Sequence, residues 1–243
     1  MRYFVSMLQA LKNAFGNSFT VSTAIPTFNK GLNFPYEQIF ATCDYVNLMS
    51  YDLLGGQHET RHHAPLLRAP GDSFPYNISE SVKFLLDRNV DRRKIIVGLP
   101  AYGRHFRLTT SNNGVGAPTD GTSGHTTYKD ICARIRSNEL REKWDSNQKV
   151  PYAFSGNFWV GYDNEKSVTE KANYINKLDL GGMMFSLSII YLIINKNYFI
   201  QIIFNKDFIF LYFFGRVCEI ATESISQNMK IVTKIVIIKH FML

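Results

Sequence analysis

The chain has 243 residues, with 27 Lys and Arg against 20 Asp and Glu, a formal net charge of +7 and 45% hydrophobic residues. The charges are spread along the chain, and the densest basic cluster, Arg92-Arg93-Lys94, is typical of a solvated loop rather than of a nucleic-acid surface. Three cysteines are too few for a disulfide framework, so the composition excludes a small cysteine-stapled domain and gives no support to a nucleic-acid partner.

Helical and strand patterns alternate in the first half of the chain. Apolar residues at helical spacing predict a helix over Val5 to Phe15, and a short β-rich run from Phe19 to Ile25 predicts a strand. A buried strand is predicted from Tyr45 to Met49. A second helix is predicted over Ile78 to Arg88, with Ser79 as its cap. Strands that alternate with helices indicate a parallel sheet and an α/β fold.

The same alternation continues in the second half of the chain. A third strand begins at Ile95, and a fourth is predicted from Gly181 to Leu187. Between them, Ser167 to Lys177 shows a helical pattern, with Asp163 and Ser167 placed at its start. The pattern therefore predicts four parallel strands.

Polar residues stand at the ends of two of these strands. Tyr51 and Asp52 follow the strand that ends at Met49, and Tyr102 and Arg104 follow the apolar part of the third strand. Ligands of α/β folds bind at the carboxyl ends of parallel strands, so these side chains are candidates for a binding site. The alternative is an ordinary strand whose polar end is satisfied within the fold, and the segment around Tyr51 alone does not decide between the two.

Five short segments carry a pattern that the strands alone do not explain. They are Met49 to Asp52, Gly98 to Arg104, Gly114 to Pro118, Gln148 to Ala153 and Trp159 to Asp163, followed by Gly181-Gly182. Each segment is weak by itself. Their order and spacing from Tyr3 to Leu187 resemble glycoside hydrolase family 18, the family of chitinases and chitinase-like proteins.

The resemblance implies a (β/α)8 barrel that carries an α+β insertion between strands seven and eight. Residues 1–105 and 159–188 are expected to form a partial barrel, the family's strands five to eight, and 106–158 the insertion. The segment 189–243 has no counterpart in the family's pattern and is expected to be a tail.

A partial barrel predicts a folding problem. Four strands without strands one to four leave two open edges and a core with no opposite wall. We therefore expect apolar side chains on the inner face of the sheet to stay partly exposed to water, namely those of Val46, Leu48, Ile96 and Leu99.

Carried over residue by residue, the resemblance implies a cleft for chitin or chito-oligosaccharides. In the family, the Tyr of the Met-x-Tyr-Asp segment hydrogen-bonds the substrate's acetamide carbonyl and the adjacent Asp helps hold the sugar. Tyr51 and Asp52 are expected in these roles, with Met49 beneath the sugar, while Tyr102 and Arg104 line the same cleft. The family's nucleophile is the substrate's own acetamide oxygen, so no metal and no cofactor are implied.

The family's catalytic acid has no match in the chain. It belongs to an Asp-x-x-Asp-x-Asp-x-Glu segment, and no Asp-x-Asp-x-Glu occurs in the sequence, where the nearest pair is Asp87 and Asp91. Cleavage of a glycosidic bond needs a proton donor on the leaving oxygen, so the chain alone is expected to be inactive. Two hypotheses stay open: part of a chitinase whose other segments carry the acid, and a chitinase-like lectin that binds without cutting.

The fourth strand departs from the family. A Trp usually forms the floor of the sugar site there, because an aromatic face stacks on a pyranose ring. Ser186 falls at this position, and Phe185 would take it only if the register slips by one residue. Trp144 and Trp159 are either core residues or sugar platforms, and a structural role is favoured.

The loop after the second predicted strand carries three histidines and a glutamate close together, namely His58, Glu59, His62 and His63. Such side chains bind zinc where a scaffold points them at one ion, and a loop that starts at two glycines does not predict that arrangement. Loop structure or sugar contact is favoured over metal binding.

The composition changes after Ile189, where Ile, Phe, Tyr, Asn and Lys dominate without a sustained period. A membrane span needs about 18 uninterrupted apolar residues, and polar residues such as Asn195 and Lys196 break every run. An unstructured tail or a gene-model artefact is favoured, so no membrane partner is expected. The resemblance matches Cys132 to a cysteine whose partner follows strand eight, for which Cys218 is the candidate.

The family is mostly extracellular, and one motif agrees with that route. Asn77-Ile78-Ser79 is a glycosylation sequon on a predicted surface turn, although such triplets also occur in cytosolic proteins. The first residues do not form a signal peptide, because Gln9 and Lys12 interrupt the apolar stretch. A signal is therefore expected upstream, in a longer parent protein.

Overall fold

The predicted alternation of helices and strands is present in the computed structural model. The structure describes residues 2–27, 34–74 and 76–186, together with the backbone of 202–205, 208–210 and 235–238. The elements in chain order are α1 (Arg2–Phe15), β1 (Thr20–Pro26), α2 (Tyr36–Thr42), β2 (Tyr45–Met49), α3 (Ile78–Leu86), a 3-10 turn (Arg92–Lys94), β3 (Ile95–Pro100), β4 (Tyr102–Leu108), β5 (Thr119–Thr127), α4 (Tyr128–Arg136), β6 (Arg141–Asp145), β7 (Val150–Ser155), β8 (Phe158–Gly161), α5 (Glu165–Lys177), β9 (Gly182–Ser186), β10 (Ile202–Asn205), β11 (Phe208–Phe210) and β12 (Ile235–Ile238).

Four parallel strands form the centre of the larger sheet. β1 pairs with β2, β2 with β3, and β3 with β9, each in parallel register, and these are the four strands that the sequence predicted. β12 extends the sheet parallel to β1, and β10 and β11 extend it antiparallel beyond β9. The remainder of the predicted tail at 189–243 lies outside the described residues.

The main core lies on the face of this sheet that the helices cover. Val46, Leu48 and Leu99 pack in one cluster with side chains from α1, α2, α3 and α5, and each is completely buried. Ile96 alone of the predicted set lies on the opposite face, where it packs with Met184 and is also completely buried. The expectation that these four side chains stay partly exposed to water was therefore wrong.

Between β3 and β9 the chain builds a separate antiparallel sheet in the order β5-β4-β8-β7-β6. Phe106 and Trp159 are fully buried in the core on one face of this sheet, and Ile131 of α4 packs against the other face. Trp159 therefore occupies a structural position. The sheet spans 102–161, which is wider at both ends than the predicted insertion at 106–158.

The cap of α3 differs from the predicted one. Asn77 begins the helix, and its Oδ1 accepts hydrogen bonds from the backbone N–H of Glu80 and from the hydroxyl of Ser79. Asn77 is only 1% exposed. Asn77 therefore does not lie on an exposed surface turn, contrary to the prediction, because its side chain caps a helix and is enclosed. Its glycosylation stays a prediction.

The start of α5 creates the most deeply buried ion pair among the described residues. Asn164 caps the helix in a reciprocal arrangement with Ser167, so Asp163 is not the cap. Asp163 instead receives the Lys171 ammonium at 2.5 and 2.6 Å, and the Ser167 hydroxyl donates to it at 2.6 Å. The exposed fractions of the Lys171 and Asp163 side chains are 0% and 2%.

The membrane-span and disulfide predictions both depend in part on residues outside the described part of the chain. No helix of the described part of the chain is long and apolar enough to cross a membrane. Cys132 is half-buried on α4 without a disulfide partner among the described residues. Its pairing with Cys218 stays a prediction, because Cys218 lies outside them.

Candidate functional site

The chain turns sharply just after β2. The Ser50 hydroxyl donates to the backbone carbonyl of Gly98 on β3 at 2.7 Å, which joins the ends of the two strands. Asp52 follows with a φ of 59°, in the left-handed region that few residues adopt. The next backbone N–H, that of Leu53, donates to the carbonyl of His63 at 2.9 Å. These contacts hold Asp52 just past the carboxyl edge of the sheet.

Four side chains from three segments surround the Asp52 carboxylate. The Tyr102 hydroxyl donates to Oδ2 at 2.7 Å. On the other oxygen, Oδ1, His63 Nδ1 lies at 3.6 Å, Arg104 Nε at 3.8 Å and His125 Nε2 at 3.9 Å. The structure thus brings the predicted residues Asp52, Tyr102 and Arg104 together and adds two histidines to them.

These neighbours keep the carboxylate ionised. Burial by itself would raise the pKa of Asp52, but the neighbouring His63, the hydrogen bond from Tyr102 and the positive charge of Arg104 lower it below its ordinary value. Burial and the nearby Asp52 charge raise the pKa of the Tyr102 hydroxyl, so Tyr102 remains a hydrogen-bond donor. The site therefore presents a fixed anion whose side chain is 42% exposed.

His125 enters the site through a strand pairing. Arg104 on β4 lies directly opposite His125 on β5, and Arg104 Nη1 donates to His125 Nε2 at 2.7 Å. Burial and the Arg104 charge both lower the pKa of His125, which favours the neutral imidazole that can accept this bond. The sequence carried no signal for His125, because the register of two strands joined by a long loop is not visible in either strand alone.

Tyr51 reaches the site from the opposite face of the sheet to the main core. Its ring lies 6.3 Å from that of Tyr102, edge to face. Burial raises the pKa of the Tyr51 hydroxyl, against a smaller opposite effect of the nearby Ser186. A Cβ at Gly98 would lie 2.9 Å from the Tyr51 ring and 2.4 Å from the Leu48 carbonyl oxygen, so only glycine leaves room for Tyr51.

On β9, the fourth predicted strand, Ser186 and Phe185 point to opposite faces of the sheet. Ser186 lies on the face that Met184 shares with Tyr51, because alternate residues of a strand point to the same side, whereas Phe185 packs against the main core on the helical side. Phe185 thus does not replace the aromatic floor that the resemblance led us to look for. Met49 is half-buried at the end of β2, on the face that carries Tyr51 and not on the helical face.

The histidine-rich loop divides into exposed and buried members. His58 and Glu59 are exposed or half-exposed, while His62 is 4% exposed and its Nε2 lies 3.3 Å from Asp145 Oδ2. The His62 ring also lies 5.8 Å from that of the buried Trp159. Within residues 2–186, leaving out the undescribed positions, no group of three or more His, Cys, Asp or Glu side chains could hold a metal ion.

Acid should destabilise the folded chain through His63 and His125, whose pKa values are lowered in the folded state. Burial lowers the pKa of His63 and of His125 below the ordinary value of 6.5. Below that value the unfolded chain binds protons that the folded chain does not, so stability is full above about pH 6.5 and falls as the pH drops through the folded-state pKa values. Thermal melts at pH 7.5 and 5.0 should show a lower Tm at pH 5.0.

Two variants check the source of that loss of stability. His63→Asn should reduce the difference in Tm between the two pH values, and the matched change at the exposed His58, His58→Asn, should leave it as it is. An equal Tm at both pH values in the unmodified chain would contradict the assignment.

The sequence of the chain matches a known protein family. The family model described as "Glycosyl hydrolases family 18" matches residues 1–187. Chitinase-3-like protein 2 of Homo sapiens is 30% identical over 207 residues, which cover 75% of this chain and 53% of the relative.

Two solved structures show the same fold. The Group IV chitinase of Ostrinia furnacalis in complex with allosamidin has a TM-score of 0.71 and 28% identity, covering 76% of this chain and 55% of that one. A variant of the class V chitinase of Nicotiana tobaccum in complex with NAG4 has a TM-score of 0.69 and 25% identity, covering 75% and 57%. The chain thus spans about half the length of the proteins it matches.

Proposed function

The chain belongs to glycoside hydrolase family 18, and from this premise we propose that it forms part of a cleft that binds chitin or chito-oligosaccharides, polymers of β-1,4-linked N-acetylglucosamine. The complexes of two similar structures with allosamidin and NAG4 support a carbohydrate ligand. The observation that carries the proposal is the hydrogen bond of 2.7 Å from Tyr102 to Asp52, which joins the two polar strand ends into one site.

The chemistry of the site suits an acetamido sugar. The ionised Asp52 accepts hydrogen bonds from sugar hydroxyls or from the acetamide N–H, and the Tyr51 hydroxyl donates to the acetamide carbonyl. Arg104, which is 15% exposed, supplies further donors beside the same carboxylate. Met49 provides apolar contact at the end of β2. Tyr51, Asp52, Tyr102 and Arg104 therefore bind and orient the sugar.

Proton transfer is the step for which this chain lacks a residue. Hydrolysis requires an acid on the leaving oxygen, and the printed sequence contains no Asp-x-Asp-x-Glu. We propose that this chain alone binds without cleaving. A longer parent protein would hydrolyse chitin in carbohydrate catabolism and act outside the cell, with this chain as a fragment that carries the sugar-orienting residues.

The alternative is a chitinase-like lectin. Support for it comes from one similar relative that is named a chitinase-like protein. Both classes use the binding residues described above. They differ in the segment that would hold the acid: upstream genomic sequence with an intact Asp-x-x-Asp-x-Asp-x-Glu supports the enzyme, and a replaced Glu supports the lectin.

Removing the Tyr51 hydroxyl should weaken saccharide binding. Tyr51→Phe keeps the ring but loses the donor to the acetamide, and a lost hydrogen bond of this kind costs roughly 0.5–1.5 kcal/mol. Isothermal titration calorimetry with N-acetylglucosamine tetramer measures the change. Tyr3→Phe is the matched control, because Tyr3 is 91% exposed on α1, and it should bind like the unmodified chain. Equal affinities of the two variants would place the sugar elsewhere.

A further inference from the structure

His63 is the buried neighbour of the Asp52 carboxylate. It is 1% exposed, and neither ring nitrogen has a hydrogen-bond partner among the described residues. A buried polar group without a partner costs free energy, so its presence at a binding site calls for a physical reason. Oδ1 of Asp52 lies 3.6 Å from Nδ1, so a small side-chain adjustment would bring the two atoms within hydrogen-bond distance.

The position of His63 is fixed from several sides. Its backbone carbonyl accepts the N–H of Leu53, the residue after Asp52, and its ring lies 5.3 Å from that of Tyr102. Tyr102 already donates to the other carboxylate oxygen, Oδ2. His63 and Tyr102 therefore face different oxygens of the carboxylate, and His63 is the closest of the three side chains beside Oδ1.

Burial leaves the His63 imidazole neutral. Complete burial is the largest effect on the pKa of His63 and lowers it, whereas the charges of Asp52 and Asp163 favour a proton there. Lys171, which is paired with Asp163, opposes a proton on His63. A neutral imidazole carries a single N–H, which can sit on either nitrogen.

We propose that His63 is a positioning residue for saccharide binding: its Nδ1 carries the proton and donates it to Oδ1 of Asp52, which orients the carboxylate toward the sugar. The role deepens the proposed function and rests on it. His63 does not touch the saccharide, and it acts only through Asp52.

The tautomer of His63 tests the proposal in the unmodified full-length chain. Nitrogen-15 NMR of the imidazole at pH 7 should show a protonated Nδ1 and an unprotonated Nε2. The opposite tautomer, or an imidazolium with both nitrogens protonated, would overturn the proposal. This measurement needs no saccharide and no substitution.

Two substitutions separate positioning from packing. His63→Leu fills a similar volume without a donor, whereas His63→Asn keeps an amide N–H close to the place of Nδ1. Carbon-13 NMR of the Asp52 carboxyl should show a raised pKa in His63→Leu and a pKa near the unmodified one in His63→Asn. An unchanged Asp52 pKa in His63→Leu would overturn the proposal.

Calorimetry with N-acetylglucosamine tetramer gives the consequence for binding. His63→Leu should weaken binding roughly 3- to 10-fold, the effect of one lost hydrogen bond, and His63→Asn should restore most of the loss. An affinity of the His63→Leu variant equal to that of the unmodified chain would overturn the positioning role of His63. If the unmodified chain itself does not bind the tetramer, the proposed function fails, and the tautomer and the Asp52 titration still decide the role of His63.

Discussion

Turnover of a fluorogenic chitobioside by the chain alone is expected to equal that of buffer. A proton donor on the leaving oxygen contributes roughly 10²–10⁴-fold to such a reaction, and the chain has no counterpart of the family's acid. Fusing the acid-bearing strands of a family member ahead of Arg2 should raise turnover by that order over the same fusion with the motif's Glu changed to Gln. Fluorescence release under matched protein concentrations measures both.

The fusion also tests the residues that this chain contributes. Asp52→Asn in the active fusion should lower turnover, because the sugar loses the anion that orients it. Turnover by the unfused chain that disappears on Asp52→Ala would show that another residue supplies the proton, and the proposal of binding without cleavage would then fail.

Breaking the buried ion pair should cause the largest loss of stability. Lys171→Met leaves Asp163 charged, buried and without its partner, and removal of one member of such a pair costs about 3–5 kcal/mol in the free energy of unfolding. Urea denaturation followed by tryptophan fluorescence measures the loss. The double variant Asp163→Asn with Lys171→Met should recover most of it, because no lone charge remains buried.

The same substitution on the surface is the control. Lys83 pairs with Asp87 one helical turn away, and both side chains are more than half exposed. Lys83→Met should change the free energy of unfolding little or not at all, because water screens an exposed pair. Equal losses for Lys171→Met and Lys83→Met would show that burial does not set the strength of the inner pair.

The convergence of Asp52, Tyr102 and Arg104 could be predicted from the sequence. Each follows a strand whose apolar run is easy to detect, and the carboxyl ends of neighbouring parallel strands meet at one edge of the sheet. The direct bond between Tyr102 and Asp52 shows that the two strand ends meet as predicted. The identity of the sugar-binding partners remains a proposal.

Helix boundaries were less well predicted than strands. Asn77 and Asn164 cap α3 and α5, although Ser79, Asp163 and Ser167 were equally good candidates by residue type. Several polar residues close together all satisfy the preference for a cap, and the backbone conformation selects one of them.

The sequence by itself determined the four central strands, three of the helices, the family and the polar strand ends, because these follow from local pattern and from residues near one another in the chain. The tertiary structure alone decided which face of β2 and β3 meets the helices, since strands buried on both sides carry no alternation. It also decided the contacts that His63, His125 and Lys171 make. Their partners lie on other elements, and only packing and strand register bring them together.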